Sequence, residues 1–179
     1  MFKRLIFAIL LAMLPLGAAH AIPVTMSFTA EGFTDVIGSN APTNDPVSGT
    51  FVWDAASVNS TVGSLISVDL TIDGHSYVLG GLDYLSPLSG NTDLIGGAFN
   101  GALGVAAGHN DFWIKWDRLA LTGLDFTYAS ANVVNSVWRT TTFTQFSITD
   151  ASVPEPATLT LLGLGLAGLG FSSRRKRGN

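Results

Sequence analysis

Between residues 22 and 152 apolar and polar side chains alternate with a period of two. Ile66, Val68, Leu70 and Ile72 interleave with Ser67, Asp69 and Thr71. That spacing sets one face of a strand against a core and turns the other to water. Asp73-Gly74 follows, and His75, Tyr77 and Leu79 then alternate with Ser76 and Val78, which predicts a hairpin closed by an Asp-Gly turn. Similar runs occur at Met26-Phe28-Ala30, Phe51-Trp53, Phe112-Ile114-Trp116, Leu124-Phe126-Tyr128 and Phe146-Ile148. Clusters of Gly, Asn, Asp and Pro separate them, as in residues 39–46. Roughly seven short strands with such punctuation predict an all-β domain, an antiparallel β-sandwich of jelly-roll or immunoglobulin-like kind. Glycines at 96, 97, 101, 104 and 108 dilute the pattern over residues 80–110, which reads as long loops or as glycine-broken strands. Residues 131–138 read as a short helix.

The two ends follow a different rule. Lys3 and Arg4 precede an unbroken apolar run from Leu5 to Leu16, too short for a bilayer that needs about 20 residues. Ala19-His20-Ala21 then places small side chains at Ala19 and Ala21, where a signal peptidase accepts them. Residues 1–21 are therefore expected to be a signal helix that signal peptidase removes, leaving Ile22 as the mature N-terminus. At the other end Ala157 to Phe171 is apolar and carries Gly163, Gly165, Gly168 and Gly170. As a helix it spans about 22 Å, against a hydrocarbon core of roughly 30 Å. Arg174, Arg175, Lys176 and Arg177 close it, and such a cluster holds its end in the cytoplasm. Pro154 and Pro156 flank Glu155 just ahead of the span; each proline fixes φ and keeps the segment extended.

Charge separates the same three parts. Of nine basic residues only Lys115, Arg118 and Arg139 lie in the middle, whereas twelve of the thirteen acids do. Three bases against twelve acids leave the central domain nine negative charges, which repel a phosphate backbone and argue against nucleic-acid binding. The chain has no cysteine, so an exported domain must rely on its core without disulfides. Thiol catalysis and cysteine-ligated metal are excluded with them.

Val153-Pro154-Glu155-Pro156-Ala157, the short Gly/Leu-rich span and the terminal Arg/Lys cluster together resemble the PEP-CTERM sorting signal of Gram-negative bacteria. The resemblance covers residues 153–179. It implies that exosortase, a membrane-embedded transpeptidase-like enzyme, recognises and cleaves the chain at Pro154-Glu155-Pro156. It further implies transient anchoring by a C-terminal transmembrane helix, then delivery to the cell surface or an exopolysaccharide matrix of the biofilm type. Exopolysaccharide is the implied partner of the mature domain.

Candidate chemistry within the domain is sparse. His75 and His109 lack a metal-ligand spacing partner. Asp45, Asp54, Asp73, Asp83, Asp93, Asp111 and Asp117 sit near turns, where aspartates take Ca²⁺ in some extracellular proteins, but no calcium-loop pattern is present. Asp117 and Asp125 offer a carboxylate pair of the kind a glycosidase uses. Trp53, Trp113, Trp116 and Trp138 have ring faces of the kind that stack on sugars, but core packing is the expected use of each; alternation places Trp113 opposite Trp116. The expectation is a structural or binding domain with no enzymatic activity and no cofactor. A secreted carbohydrate-processing enzyme and a Ca²⁺-dependent adhesin are the alternatives.

Overall fold

The computed structural model describes residues 21–97, 99, 101 and 104–151. The expected signal helix and C-terminal sorting helix lie outside the described residues. Among the described residues no helix is long and apolar enough to cross a membrane.

The domain is built from strands β1 (Ile22–Glu31), β2 (Thr34–Ile37), β3 (Val47–Ala55), β4 (Leu65–Ile72), β5 (His75–Ser76), β6 (Leu82–Ser89), β7 (Thr92–Gly97), β8 (Asp111–Asp117), β9 (Thr122–Ala129), β10 (Val137–Thr140) and β11 (Thr142–Asp150). They form a five-stranded sheet in the order β11-β1-β3-β4-β5 and a six-stranded sheet in the order β2-β10-β9-β8-β7-β6. Every pairing between strands is antiparallel.

The sheets pack face to face through aromatic rings supplied by the period of two. Phe28 of β1 meets Phe126 of β9 with ring centroids 5.2 Å apart. Phe51 and Trp53 of β3 meet Phe112 and Trp116 of β8 at 5.9 and 5.6 Å. Burying such a side chain is worth about 1.5–3 kcal/mol, against about 1 kcal/mol for the ring pairing itself. Area removed from water is therefore what holds the sheets together. The interface reaches the rim at Gly123, where a Cβ would sit 2.7 Å from the Phe143 ring of β11; only glycine lets that ring close over β9.

The sheets are also joined covalently at a corner. β1 runs into β2 through Gly32, whose φ of +70° suits glycine. The Asp45 carboxylate fixes this bend by accepting from Gly32 N at 2.9 Å and Phe33 N at 3.1 Å. β10 runs into β11 alongside, where the Thr140 hydroxyl donates to Glu31 O at 2.6 Å and accepts from Thr142 N at 2.9 Å. Two neighbouring chain segments thus switch sheets together.

Two expectations need correction in detail, and a third, left open between loops and glycine-broken strands, is decided for strands. The Asp73-Gly74 hairpin forms, but its second strand stops at Ser76. Tyr77 N still donates to Leu70 O at 3.0 Å while its ring packs edge-on against Phe112 at 4.7 Å, and residues 79–81 then form a 3₁₀ turn. Residues 80–110 contain a true hairpin, β6–β7, which turns at Gly90. Residues 131–138 are turns followed by the start of β10, not a helix. Trp138 decides this, because its indole donates to Asn40 O at 2.8 Å and its ring lies 5.1 Å from Tyr128.

Candidate functional site

The two ends of the domain meet. β1 and β11 pair in opposite directions, with Val24 opposite Asp150, and Ala151 N donates to Pro23 O at 3.0 Å. Ala21, exposed, immediately precedes β1, so the first and last described residues, Ala21 and Ala151, lie at the same end of the five-stranded sheet. Ala19, Pro154, Glu155, Pro156, Arg174, Arg175, Lys176 and Arg177 lie outside the described residues.

The ionisable groups of the domain are engaged in holding strands and loops. Asp125 of β9 is buried on the outer side of the six-stranded sheet. Its Oδ2 lies 2.5 Å from Arg139 Nη2 and 3.8 Å from Lys115 Nζ, and Thr127 donates to its Oδ1 at 2.9 Å. The Lys115 ammonium also stands 3.8 Å over the Trp113 ring, a cation–π contact that occupies one face of that ring. Trp113 does lie on the face opposite Trp116; Trp53, Trp116 and Trp138 are core.

Asp93 of β7 is the second buried carboxylate, held by Arg118 Nη1 at 2.8 Å. Burial raises its pKa above the ordinary carboxylate range, against the opposing pull of the neighbouring Ser86 hydroxyl and of Arg118. Ser86 also accepts from Val62 N at 2.7 Å, so the group ties the loop after β3 to the β6–β7 hairpin. Asp111, fully buried at the start of β8, accepts from Ala106 N at 3.0 Å and Phe99 N at 3.4 Å. It organises the glycine-rich connection between β7 and β8.

A polar network binds the remaining loops. Tyr128 donates its hydroxyl to Asn44 O at 2.7 Å and accepts from Asn44 N at 2.9 Å, and burial pushes its phenol pKa up. Asn44 Oδ1 accepts from Asp73 N at 2.6 Å, while the Asp73 carboxylate accepts from Ser130 and Asn132. Asp117 accepts from Leu119 N and Ala120 N, both at 2.8 Å, and so shapes its own turn. Asp117 and Asp125 therefore each have separate structural partners.

His75 packs edge-on against Tyr77 at 4.7 Å, and His109 stacks on Phe99 at 3.7 Å. Among the described residues no group of three or more His, Cys, Asp or Glu side chains is placed to hold a metal. The outer side of the five-stranded sheet carries a shallow depression of about 390 Å³, lined by Ser27, Thr29, Ser48, Thr50, Asp69 and Gln145 among others. Its hydroxyls bond to one another, Thr29 with Ser48 at 2.9 Å and Ser27 with Thr50 at 3.4 Å. The period of two exposes these residues, but which strands lie side by side is a matter of sheet order, so the sequence alone did not reveal the cluster.

The architecture is thus that of an all-β domain whose termini leave together, followed by a short sorting tail. Residues 152–176 match the family model of the PEP-CTERM protein-sorting motif. The chain carries that motif, which marks it for sorting to the cell surface by exosortase. No curated protein and no solved structure matches the chain.

Proposed function

We propose that this chain is a precursor whose β-domain becomes a structural or binding component of the cell surface or of an exopolysaccharide matrix of the biofilm type. Export begins with signal-peptide removal at Ala21. A transient C-terminal anchor then presents Pro154-Glu155-Pro156 to exosortase in a Gram-negative envelope. The observation that carries the reading is the sorting motif at residues 152–176. The adjacent termini support it: a domain that enters and leaves at one end hangs from the membrane by that end, with its body clear of both processing enzymes.

A role without catalysis is part of the same proposal. It is supported by the use of Asp45, Asp73, Asp93, Asp111, Asp117 and Asp125 as ties for backbone, hydroxyl and cationic groups. A carboxylate tied to backbone, hydroxyl or cationic groups in this way is constrained as a general acid or base, because binding a proton there disturbs its partners' bonds. The hydroxyl-lined side of the five-stranded sheet is the surface best suited to a neutral, hydroxylated polymer.

The test is replacement of Pro154-Glu155-Pro156 by three alanines in the native bacterium. The substituted chain is expected to accumulate in the membrane at higher mass, as is the unsubstituted chain in a strain without exosortase. Identical mass and fractionation of the two forms would leave a passively anchored β-domain instead.

A further inference from the structure

Four strands border the two sheets, and three are short or interrupted. β5 has two residues and gives way to the 3₁₀ turn, and the stretch of β4 that outruns it carries Asp69. β2 has four residues, one of them Asp35. β6 carries Asp83 and Pro87, and its pairing with β7 loses register between Leu85 and Ser89. Charge, proline, brevity and irregularity are the devices that keep sheet edges from pairing with other chains.

β11 has almost none of them. It runs for nine residues, and from Thr142 to Thr149 it contains neither a charge nor a proline. One bulge at Thr144 disturbs its ladder with β1, and from Gln145 to Asp150 the register is regular. Among the described residues nothing pairs with its other side. The domain's twelve acids and three bases make copies repel one another over most of the surface, which leaves this neutral edge as the place of close approach.

We propose that β11 docks a second copy of this chain, the two β11 strands pairing antiparallel about a two-fold axis at Ser147. That register sets Ser147 opposite Ser147, Phe146 opposite Ile148 and Gln145 opposite Thr149. Apolar residues that face the core side meet each other, as do polar residues that face outward, and such cross-strand pairs are the unit of sheet stability. Centring on Phe146 would set Ile148 against the bulged Thr144, and centring on Thr149 would set Asp150 against Ile148. The Ser147 register keeps both from Ile148 and confines them to its two ends, where the bulged Thr144 stands opposite Asp150. The contact is isologous, so it closes as a dimer, and the five-stranded sheets of the two copies become continuous.

The test uses the full chain, purified from the envelope in mild detergent. By analytical ultracentrifugation the unsubstituted chain is expected to be a dimer. Ser147→Lys is expected to weaken it roughly fivefold or more, since like charges would stand directly opposite, with the β circular-dichroism spectrum unchanged. Ser147→Cys reads the register itself: opposed strand residues lie within disulfide reach, and the chain has no other cysteine. Mild oxidation is expected to link this variant into dimers, while Ser48→Cys, exposed on the interior strand β3, stays largely unlinked. A monomeric unsubstituted chain, or equal linkage of the two cysteine variants, would overturn the proposal. So would a Ser147→Lys variant that dimerises as tightly as the unsubstituted chain. If Ser147→Lys does not fold, the two cysteine variants decide.

Discussion

The two sheets meet water in different ways. In the five-stranded sheet the division is clean: apolar residues inside, and Ser, Thr, Gln and a single aspartate around the depression outside. No polar or charged residue of its strands is buried. The six-stranded sheet buries Asp93, Asp111, Asp125, Thr127 and Thr140. Most of β7 and the second half of β9 are covered on both faces. Its outer side is roofed by its own connections, with Asp111 holding the β7–β8 segment and Asp125 gathering Arg139 and Lys115. One sheet therefore presents a surface, and the other spends its charges on keeping a cover in place. A buried carboxylate is tolerable only when its partners are supplied, so the six-stranded sheet is where single substitutions should do most damage.

The largest effect should come from Asp111→Ala. It leaves the buried amide of Phe112 and the part-buried amides of Phe99 and Ala106 without their acceptor, and a loss of about 3 kcal/mol is expected at about 1 kcal/mol for each stranded group. Urea unfolding measures it. A loss below about 0.5 kcal/mol would show that the cover does not depend on this carboxylate.

A smaller effect, of defined sign, belongs to Asp93. Its pKa is raised in the folded chain, chiefly by burial. The native state therefore binds a proton there at pH values where the unfolded chain, with a carboxyl near about 3.9, has released it. Asp93 thus lowers stability above its folded pKa, and this cost is relieved as the pH falls toward the unfolded value. Urea unfolding at a series of acidic pH values should show the unsubstituted chain gaining on Asp93→Asn as the pH drops. A gain in the opposite direction would mean that Arg118 outweighs burial.

The smallest effect is expected on the five-stranded sheet. Thr29→Val keeps the β-branched shape and removes one hydroxyl from the bonded pair with Ser48. Stability should change by less than about 0.5 kcal/mol. A change above 1 kcal/mol, on the scale of a full buried hydrogen bond, would show that this face is part of the scaffold and break the contrast between the sheets.

The same contrast explains what could be read without coordinates. β1, β3 and β4 belong to the sheet with one wet face, so hydrophobic and polar positions alternate and the strands are legible. β7 reads Thr-Asp-Leu-Ile-Gly-Gly and shows no alternation, because a strand covered on both sides has no polar face to mark it. The short β2 and β10 were missed for another reason. Their place is set by Trp138 reaching Asn40 and Tyr128, contacts that span many residues and leave no local period.

The sequence by itself determined the address and the class of fold. A sorting motif and a period-two pattern are local codes, each read within a few consecutive residues. Only the tertiary structure decided which strands are neighbours, which aspartates are buried, that β1 begins beside the end of β11, and that β11 is an edge strand among the described residues. Those facts depend on pairings between residues as distant as Val24 and Asp150. Strand order is fixed by how two apolar faces close over one core, and a local pattern carries the face of each residue but not the identity of its neighbour.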